Sequence, residues 1–422
     1  MKPKARTARN KINSSNIIYF FLALLFILLP FNALINTFFS EKMGIELVKM
    51  WKEMLVLIVG VVFLASNWRV TPKIMKQNYL KFVWGGAFLL FVFINWGLRG
   101  FDLGLVRALR LDLLPIMVVI AGYFIGVQND KLEFDRLIKL LIGSTCVSIL
   151  ASLILYGVGG NEILINLGFR NDWSTYYAGE ALAFCQRIEN SEICRFQGFM
   201  SGPNQLASFL VLVFGLALSQ LKEKWIKLLL GVGFGLVIAL TFSRSGMLAF
   251  IALVGLYIAW EYREVVMDKW KWICGLIVIF LMGLTLIGQE FLVSFFSRPE
   301  SSSQHLRLWL EGLRFWMEAP VFGNGIGSVG PAARYITSEA LIPESWILQM
   351  AGQYGLIGLI LWIGWYSEVC KNLFRKSGYV IMWVWIALLI PLNLLHIFEA
   401  SSLVYGLGIV TGIKIGSKST EE

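Results

Sequence analysis

The sequence predicts an all-α polytopic membrane protein of about 12 transmembrane helices, and three observations carry that expectation. Hydrophobic residues make up 57% of the 422-residue chain and charged residues only 15%. Apolar runs of about 20 residues, the length a helix needs to cross a bilayer, recur from end to end. The runs are too continuous for alternating barrel strands, and lipid leaves the backbone no hydrogen-bond partner but itself, so helices remain. No soluble domain, low-complexity tract or internal repeat stands out, and 1–422 reads as one integral membrane domain.

In chain order the expected spans are 17–39, 54–68, 80–97, 112–127, 138–157, 204–221, 226–242, 246–260, 272–288, 345–367, 379–395 and 402–416. The second and eighth are short for a span. The first is too long for a signal peptide and no small-residue cleavage site follows it.

Basic residues set the expected orientation. The tail Lys2, Lys4, Arg6, Arg9 and Lys11 should stay cytoplasmic. Alternation from there puts Arg69-Lys73-Lys76, Lys131-Arg136-Lys139, Lys222-Lys224-Lys227, Arg263-Lys269-Lys271, Lys371-Arg375-Lys376 and Lys414-Lys418 on that same side. An even number of spans follows, with both termini inside. The other face is basic in a different way: Arg99, Arg107, Arg110, Arg170, Arg187, Arg195, Arg244, Arg298, Arg307, Arg314 and Arg334 fall there, with lysines only at 42, 49 and 52. Guanidinium forks suit phosphate or carboxylate, so an arginine-lined outer cavity points to an anionic ligand such as a lipid pyrophosphate. Capping of helix ends and pairing with Glu is the plainer account of any single arginine.

Two external elaborations interrupt the bundle. The first, 158–203, carries Arg170, Asp172, Trp173, Tyr176, Tyr177 and Glu180, and holds Cys185 and Cys194, close enough in sequence to form a disulfide in an oxidising environment. Cys146, Cys274 and Cys370 fall in or at the inner ends of spans and read as buried thiols. The second, 289–344, is a loop of about 55 residues, far longer than the usual connection. It holds His305, Arg307, Trp309, Arg314 and the run Gly323-Asn324-Gly325-Ile326-Gly327. Leu306 to Met317 carries apolar residues at helical spacing, which predicts a helix lying on the membrane surface. Aromatic residues such as Trp173, Tyr176, Trp309, Trp316, Tyr335 and Trp346 fit two roles, interface anchors or platforms for sugar rings.

Four external clusters carry chemistry. Arg195 precedes the helix start Gly202-Pro203-Asn204, where open amides can face an anion. Thr241-Phe242-Ser243-Arg244-Ser245-Gly246 joins two apolar spans, and an arginine at that depth is functional by default. His305-Leu306-Arg307 is the third. Pro343-Glu344-Ser345-Trp346 is the fourth, where Glu344 serves either as a reactive carboxylate or as a dipole and capping partner.

In this order, Arg-x-x-Gly-Phe-x-x-x-Pro-Asn at 195–204, Thr-Phe-Ser-Arg-Ser-Gly at 241–246, Ala-Pro-Val-Phe-Gly-Asn-Gly-Ile-Gly at 319–327 and Glu-Ser-Trp-Ile-Leu-Gln with Tyr-Gly-Leu-Ile-Gly at 344–358 resemble the O-antigen polymerase and O-antigen ligase family. The resemblance covers the C-terminal half; the N-terminal half matches in hydropathy alone. It implies a C-type, metal-independent membrane glycosyltransferase at the outer face of the bacterial cytoplasmic membrane. Its donor would be a glycan on undecaprenyl pyrophosphate. A polymerase passes that glycan to another carrier-linked repeat unit, making O-antigen, capsule or exopolysaccharide; a ligase passes it to lipid A-core. Ligases typically place a His-Asn pair where this chain has Glu344-Ser345, which favours a polymerase, with inversion at the anomeric carbon.

The site residues expected on this footing are Glu344 and His305 as candidate bases and Arg195, Arg244 and Arg307 for the pyrophosphate. Asn204, Gly323, Gly325, Ser345 and Trp309 would shape the site. Neither a cofactor nor a metal is expected, and the partners are the lipid-linked glycans, the bilayer and a chain-length regulator, with no nucleic acid. A flippase is the rival from another class. Transporters, however, gather charge and broken helices near the midplane between repeated halves, whereas the polar residues here collect at one face.

Overall fold

The computed structural model describes residues 3–67, 82–98, 105–128, 133–157, 161–170, 184, 186–188, 193–264, 299–336, 340–376 and 378–417. Helices dominate: α1 (Pro3–Leu28), α2 (Trp51–Asn67), α3 (Val83–Leu98), α4 (Val106–Gln128), α5 (Phe134–Gly157), α6 (Pro203–Gln220), α7 (Lys224–Leu240), α8 (Arg244–Glu261), α9 (Pro299–Glu318), α10 (Trp346–Arg375), α11 (Tyr379–Leu394) and α12 (Ser401–Gly416). The β-structure among the described residues is one antiparallel hairpin, β1 (Gln186–Arg187) with β2 (Cys194–Arg195), registered Gln186 to Arg195 and Arg187 to Cys194. The chain is therefore an all-α membrane protein.

Among the described residues, six helical segments are long and apolar enough to cross a membrane: Ser14–Lys42, Val106–Val127, Phe134–Gly157, Pro203–Gln220, Arg244–Glu261 and Trp346–Arg375. Three more, α3, α11 and α12, are apolar but shorter. Helices α2 and α7, of 17 residues each, occupy the second and seventh expected spans. The ninth expected span, 272–288, lies outside the described residues, as does Cys274.

Boundaries differ from the hydropathy reading where polar residues continue a helix. The fourth span starts at Val106, so Arg107, Arg110 and Asp112 belong to its first turns. The tenth runs on through Glu368 and Lys371 to Arg375. A hydropathy window stops at the first charges, whereas backbone hydrogen bonding carries on past them. The surface helix likewise extends beyond the expected Leu306–Met317, starting at Pro299, which lacks an amide donor and suits a first turn.

Helix α6 lies at the centre, with Leu206 to Leu218 buried without interruption. Helices α4 and α12 form the closest pair. Gly408, Gly412 and Gly416 recur one helical turn apart and face Gly122 and Gly126. A Cβ at Gly412 would fall 2.2 Å from the Val119 carbonyl oxygen, and one at Gly126 would fall 2.4 Å from that of Ile413. Only glycine permits two backbones this close, and dispersion over that seam holds the helices without help from the hydrophobic effect. Beside it, Trp362, Trp365, Tyr366, Trp385 and Phe398 pack ring against ring. The Trp385 Nε1 proton goes to Thr411 Oγ1 at 2.9 Å, so this aromatic block also fixes α12.

One end of the bundle gathers the starts of α6, α8, α10 and α12. The Phe196 amide donates to the Leu240 carbonyl at 3.0 Å, joining the lead-in of α6 to the end of α7. The short turn Ile397–Glu399 between α11 and α12 packs on α6, and its Phe398 meets Trp346, the first residue of α10, at 5.6 Å.

Candidate active site

Arg195 is the rivet of the first cluster. It is 8% exposed, and its guanidinium donates from Nε to the Thr241 carbonyl (2.9 Å), from Nη2 to Asn204 Oδ1 (2.8 Å) and from Nη1 to Gln186 Oε1 (3.3 Å). Three sequence-distant pieces, the hairpin, the start of α6 and the α7–α8 turn, are thereby held together. These donors are spent on protein acceptors, so Arg195 brings charge to the site while its bonds serve the scaffold.

The turn it grips is unusual. Thr241 Oγ1 donates to the Ile238 carbonyl (2.6 Å) and accepts from the Ser243 amide (3.1 Å). Ser243 Oγ then caps α8 by accepting from the Gly246 amide at 3.3 Å. Between them Phe242 sits at φ +50°, a left-handed conformation that costs a bulky residue of order 1–3 kcal/mol. Gly246 lets α8 abut α6, since a Cβ there would lie 2.4 Å from that of Ala207. The result places Arg244 at the first position of α8, half-buried. A cation at the positive end of a helix dipole is unfavourable alone and favourable beside an anion, because amides and guanidinium then act on one ligand.

The second cluster joins α9 to the start of α10. Gly312 brings α9 against Pro343, where a Cβ would fall 2.5 Å from the proline Cβ. This contact sets His305 beside Glu344. Nδ1 of His305 lies in ion-pair contact with Oε2 of Glu344, and both side chains stay about one-third exposed, at 35% and 32%. Glu344 itself holds φ +48°, and the next residue, Ser345, caps α10 by accepting from the Leu348 amide at 3.3 Å. The carboxylate is thus presented by a strained residue just outside a capped helix. Arg307, 69% exposed, lies 3.8 Å through Nε from Glu311 Oε1 on the same helix. Trp309 is 40% exposed and shares with Leu306, Leu310 and Met317 an uncovered apolar stripe suited to the lipid interface.

The glycine-rich segment 319–330 has a structural reason that the sequence did not disclose. Helix α10 is interrupted at Gly355, which takes φ +64° and ψ −165°. The interruption orphans backbone groups in a helix that crosses the membrane, and the loop satisfies them. The Asn324 and Gly325 amides donate to the Gly352 and Gln353 carbonyls at 2.8 and 2.9 Å, while the Leu356 and Ile357 amides donate to the Pro320 and Val321 carbonyls at 2.8 and 3.2 Å. Gly323, at φ +74°, crosses so near that a Cβ would sit 2.4 Å from the Gln353 backbone. Irregular backbone at membrane depth persists only where protein covers it. Gly325 continues the same path at φ +94°.

Beneath that crossing lies a buried polar network absent from the expected site. Asp112 of α4, 1% exposed, accepts from Tyr354 Oη at 2.7 Å and from Gln349 Nε2 at 3.5 Å. Gln353 bonds the loop through the Gly327 amide (2.9 Å) and the Val329 carbonyl (3.1 Å), and Asn95 of α3 accepts from the Ile326 amide (3.0 Å). A lone acid among apolar residues was the available signal, but the expected span began at Asp112 and treated it as an edge.

Cys194 is disulfide-bonded, and Cys185, its expected partner, lies outside the described residues, as do Trp173 and Tyr176. Cys146 and Cys370 are free and half-buried. Among the described residues, no three His, Cys, Asp or Glu side chains approach closely enough to hold a metal ion. The arrangement offers an imidazole beside a carboxylate, an arginine at a helix N-terminus and, over the break in α10, a backbone frame.

Residues 228–363 match the protein-family model described as O-antigen ligase, a stretch from α7 through α8, α9 and the glycine-rich loop into α10. No curated protein matches the chain.

Proposed function

We infer, from the premise that this chain belongs to the O-antigen ligase and polymerase family, that it polymerises glycan repeat units carried on undecaprenyl pyrophosphate. On the reading of twelve spans with both termini cytoplasmic, the starts of α6, α8, α10 and α12 would face outward from a bacterial cytoplasmic membrane. The observation that carries the reading is the His305–Glu344 contact at the start of α10.

With Nδ1–H given to the carboxylate, Nε2 of His305 is left as an acceptor with a fixed orientation, the arrangement that makes an imidazole a general base. The acceptor-sugar hydroxyl oxygen attacks the anomeric carbon of the donor. The new C–O bond forms as the bond to the carrier phosphate breaks, the electron pair leaves with pyrophosphate, and the hydroxyl proton passes to Nε2. Attack opposite the leaving group inverts that carbon. Arg244 and Arg307 neutralise the departing pyrophosphate, a task that demands positive charge and needs no metal, while Arg195 adds buried charge and holds the Arg244 turn. Asn204 and Ser345 fix the two helix starts, Gly323 and Gly325 the frame, and Trp309 the interface. A chain-length regulator is the expected protein partner.

Deletion in the native host, with gel analysis of lipopolysaccharide and secreted polysaccharide, tests the proposal. Loss of long chains with a single repeat unit still transferred or left on its carrier supports polymerisation. The second reading, a ligase, is favoured by the description of the matching family and opposed by Glu344-Ser345 in place of His-Asn. Bare core with finished polymer accumulating on the carrier would establish it instead. Arg244→Ala and Arg307→Ala should each abolish long chains at unchanged protein level; normal chain length in both would sink the pyrophosphate assignment.

A further inference from the structure

At the opposite end of the bundle, where α6 and α8 finish and α11 begins, lies a cavity of about 250 Å³. Its wall includes Lys227 of α7, Lys414 of α12, Tyr257 and Trp260 of α8, and Tyr379 and Trp383 of α11. None of these residues takes part in the site described above. We propose that this cavity binds the headgroup phosphate of an anionic phospholipid from the lysine-rich leaflet.

The charge is arranged for such a ligand. Lys227 and Lys414 are half-buried and arrive from different helices. Lys227 Nζ stays within the wall, 3.2 Å from Tyr257 Oη and 5.4 Å from that ring's centroid. Lys414 has Lys376 and Asp135 within electrostatic reach, and Glu261, an exposed carboxylate, also lines the cavity. Two lysines against one carboxylate leave the wall cationic. Backbone adds to this: the first residues of α11, Tyr379, Val380 and Ile381, line the cavity, and no side chain caps that helix start.

The surroundings select a lipid over a free anion. Trp260 lies 4.8 Å from Tyr379 and 5.8 Å from Trp383, and Tyr257 lies 6.4 Å from Trp383, so the rim is an aromatic belt of the kind that sits at headgroup depth. On α7, Trp225, Leu228 and Leu229 are exposed next to Lys227 and offer an apolar wall for acyl chains. Basic pockets between membrane helices on the lysine-rich side are suited to acidic headgroups.

The test is native mass spectrometry of the purified full chain in detergent, titrated separately with phosphatidylglycerol, phosphatidylcholine and inorganic phosphate. Phosphatidylglycerol should bind saturably and in preference to phosphatidylcholine. Lys227→Gln and Lys414→Gln should each weaken it about fivefold, and the pair about 30-fold, since each lysine near the surface contributes about 1 kcal/mol toward an anionic lipid. Lys222→Gln, outside the cavity wall, should leave binding unchanged. Equal retention of the two lipids, or undiminished binding by the double variant, overturns the proposal. Inorganic phosphate binding as well as phosphatidylglycerol with the same lysine dependence would assign a free anion and overturn the lipid. Should the double variant not fold, Lys227→Gln alone, at a half-exposed position, carries the same test. Because the readout is lipid retention, it stands or falls separately from glycan polymerisation.

Discussion

Along the seam between α4 and α12, Gly122, Gly126, Gly408, Gly412 and Gly416 keep helical conformations and serve only to let two backbones meet. In the loop over the interrupted α10, Gly323, Gly325, Gly327 and Gly330 all hold positive φ, and the backbone bonds they permit run between loop and helix. The first region is regular, closed and remote from any reactive group. The second carries unusual backbone, and the two non-glycine residues with positive φ among the described residues, Phe242 and Glu344, each fall in a candidate cluster. Strain of that sort persists where the surroundings over-determine it, and clusters at functional positions. One residue type therefore marks the framework in one region and the reactive end in the other, and only its conformation tells the two apart.

Substitutions can break that contrast. The largest effect is expected at the strained end: His305→Ala should lower polymerisation about 10²- to 10⁴-fold, the usual contribution of a positioned base. Glu344→Gln should lower it less, because the ring keeps its nitrogen. Both variants should remain in the membrane at normal level, measured by immunoblot beside polysaccharide gels. Next in size, Gly412→Leu should destabilise the seam by about 3 kcal/mol or more and remove the protein from the membrane. Gly325→Ala, at φ +94°, costing about 1–3 kcal/mol locally, should leave protein level near normal while long chains are lost. A Gly412→Leu protein that accumulated normally and lost only activity would erase the distinction between the regions.

A third test concerns pH. Both ring nitrogens of His396, in the connection between α11 and α12, are enclosed without a hydrogen-bond partner, although part of the residue reaches the surface. Burial pushes its titration down to about 3. The unfolded imidazole takes up its proton near pH ~6.5, so folding stability is complete above that value and declines as pH falls from there toward about 3. The decline should reach about 2 kcal/mol at pH 5. His396→Leu should flatten it, which thermal unfolding at pH 7 and pH 5 would reveal. The smallest effect belongs to Glu311→Ala: the exposed Arg307–Glu311 pair contributes at most about 0.5 kcal/mol, so stability and chain length should barely change while Arg307→Ala abolishes long chains.

Much of this was legible in the sequence, for reasons that differ by feature. Length and continuity of apolar runs disclosed the membrane class because bilayer thickness fixes helix length. The turn at 241–246 was legible because its chemistry is local. The meeting of His305 with Glu344 was not, since it depends on the path of the loop between them, and that path is dictated by hydrogen bonds to a break in α10. The break in turn rests on Gly355, one of several glycines whose conformations a sequence does not distinguish. Asp112 carried a signal that a hydropathy window discarded. The spacing of Gly408, Gly412 and Gly416 was readable as a packing face, but its partner on α4 required three dimensions.

The interrupted helix α10 also constrains how the chain is made. Its unpaired carbonyls at Gly352 and Gln353 find donors in residues that leave the ribosome earlier, at 324 and 325. A lone α10 entering lipid would either carry those groups unsatisfied, at several kcal/mol each, or enter as an unbroken helix and be remodelled afterwards. Loop and helix are therefore best inserted together, as a hairpin already zipped across the break. A translation pause or a bulky tag placed between residues 330 and 345 would separate the two halves at the moment they need each other, and would yield a full-length protein whose outer end never assembles.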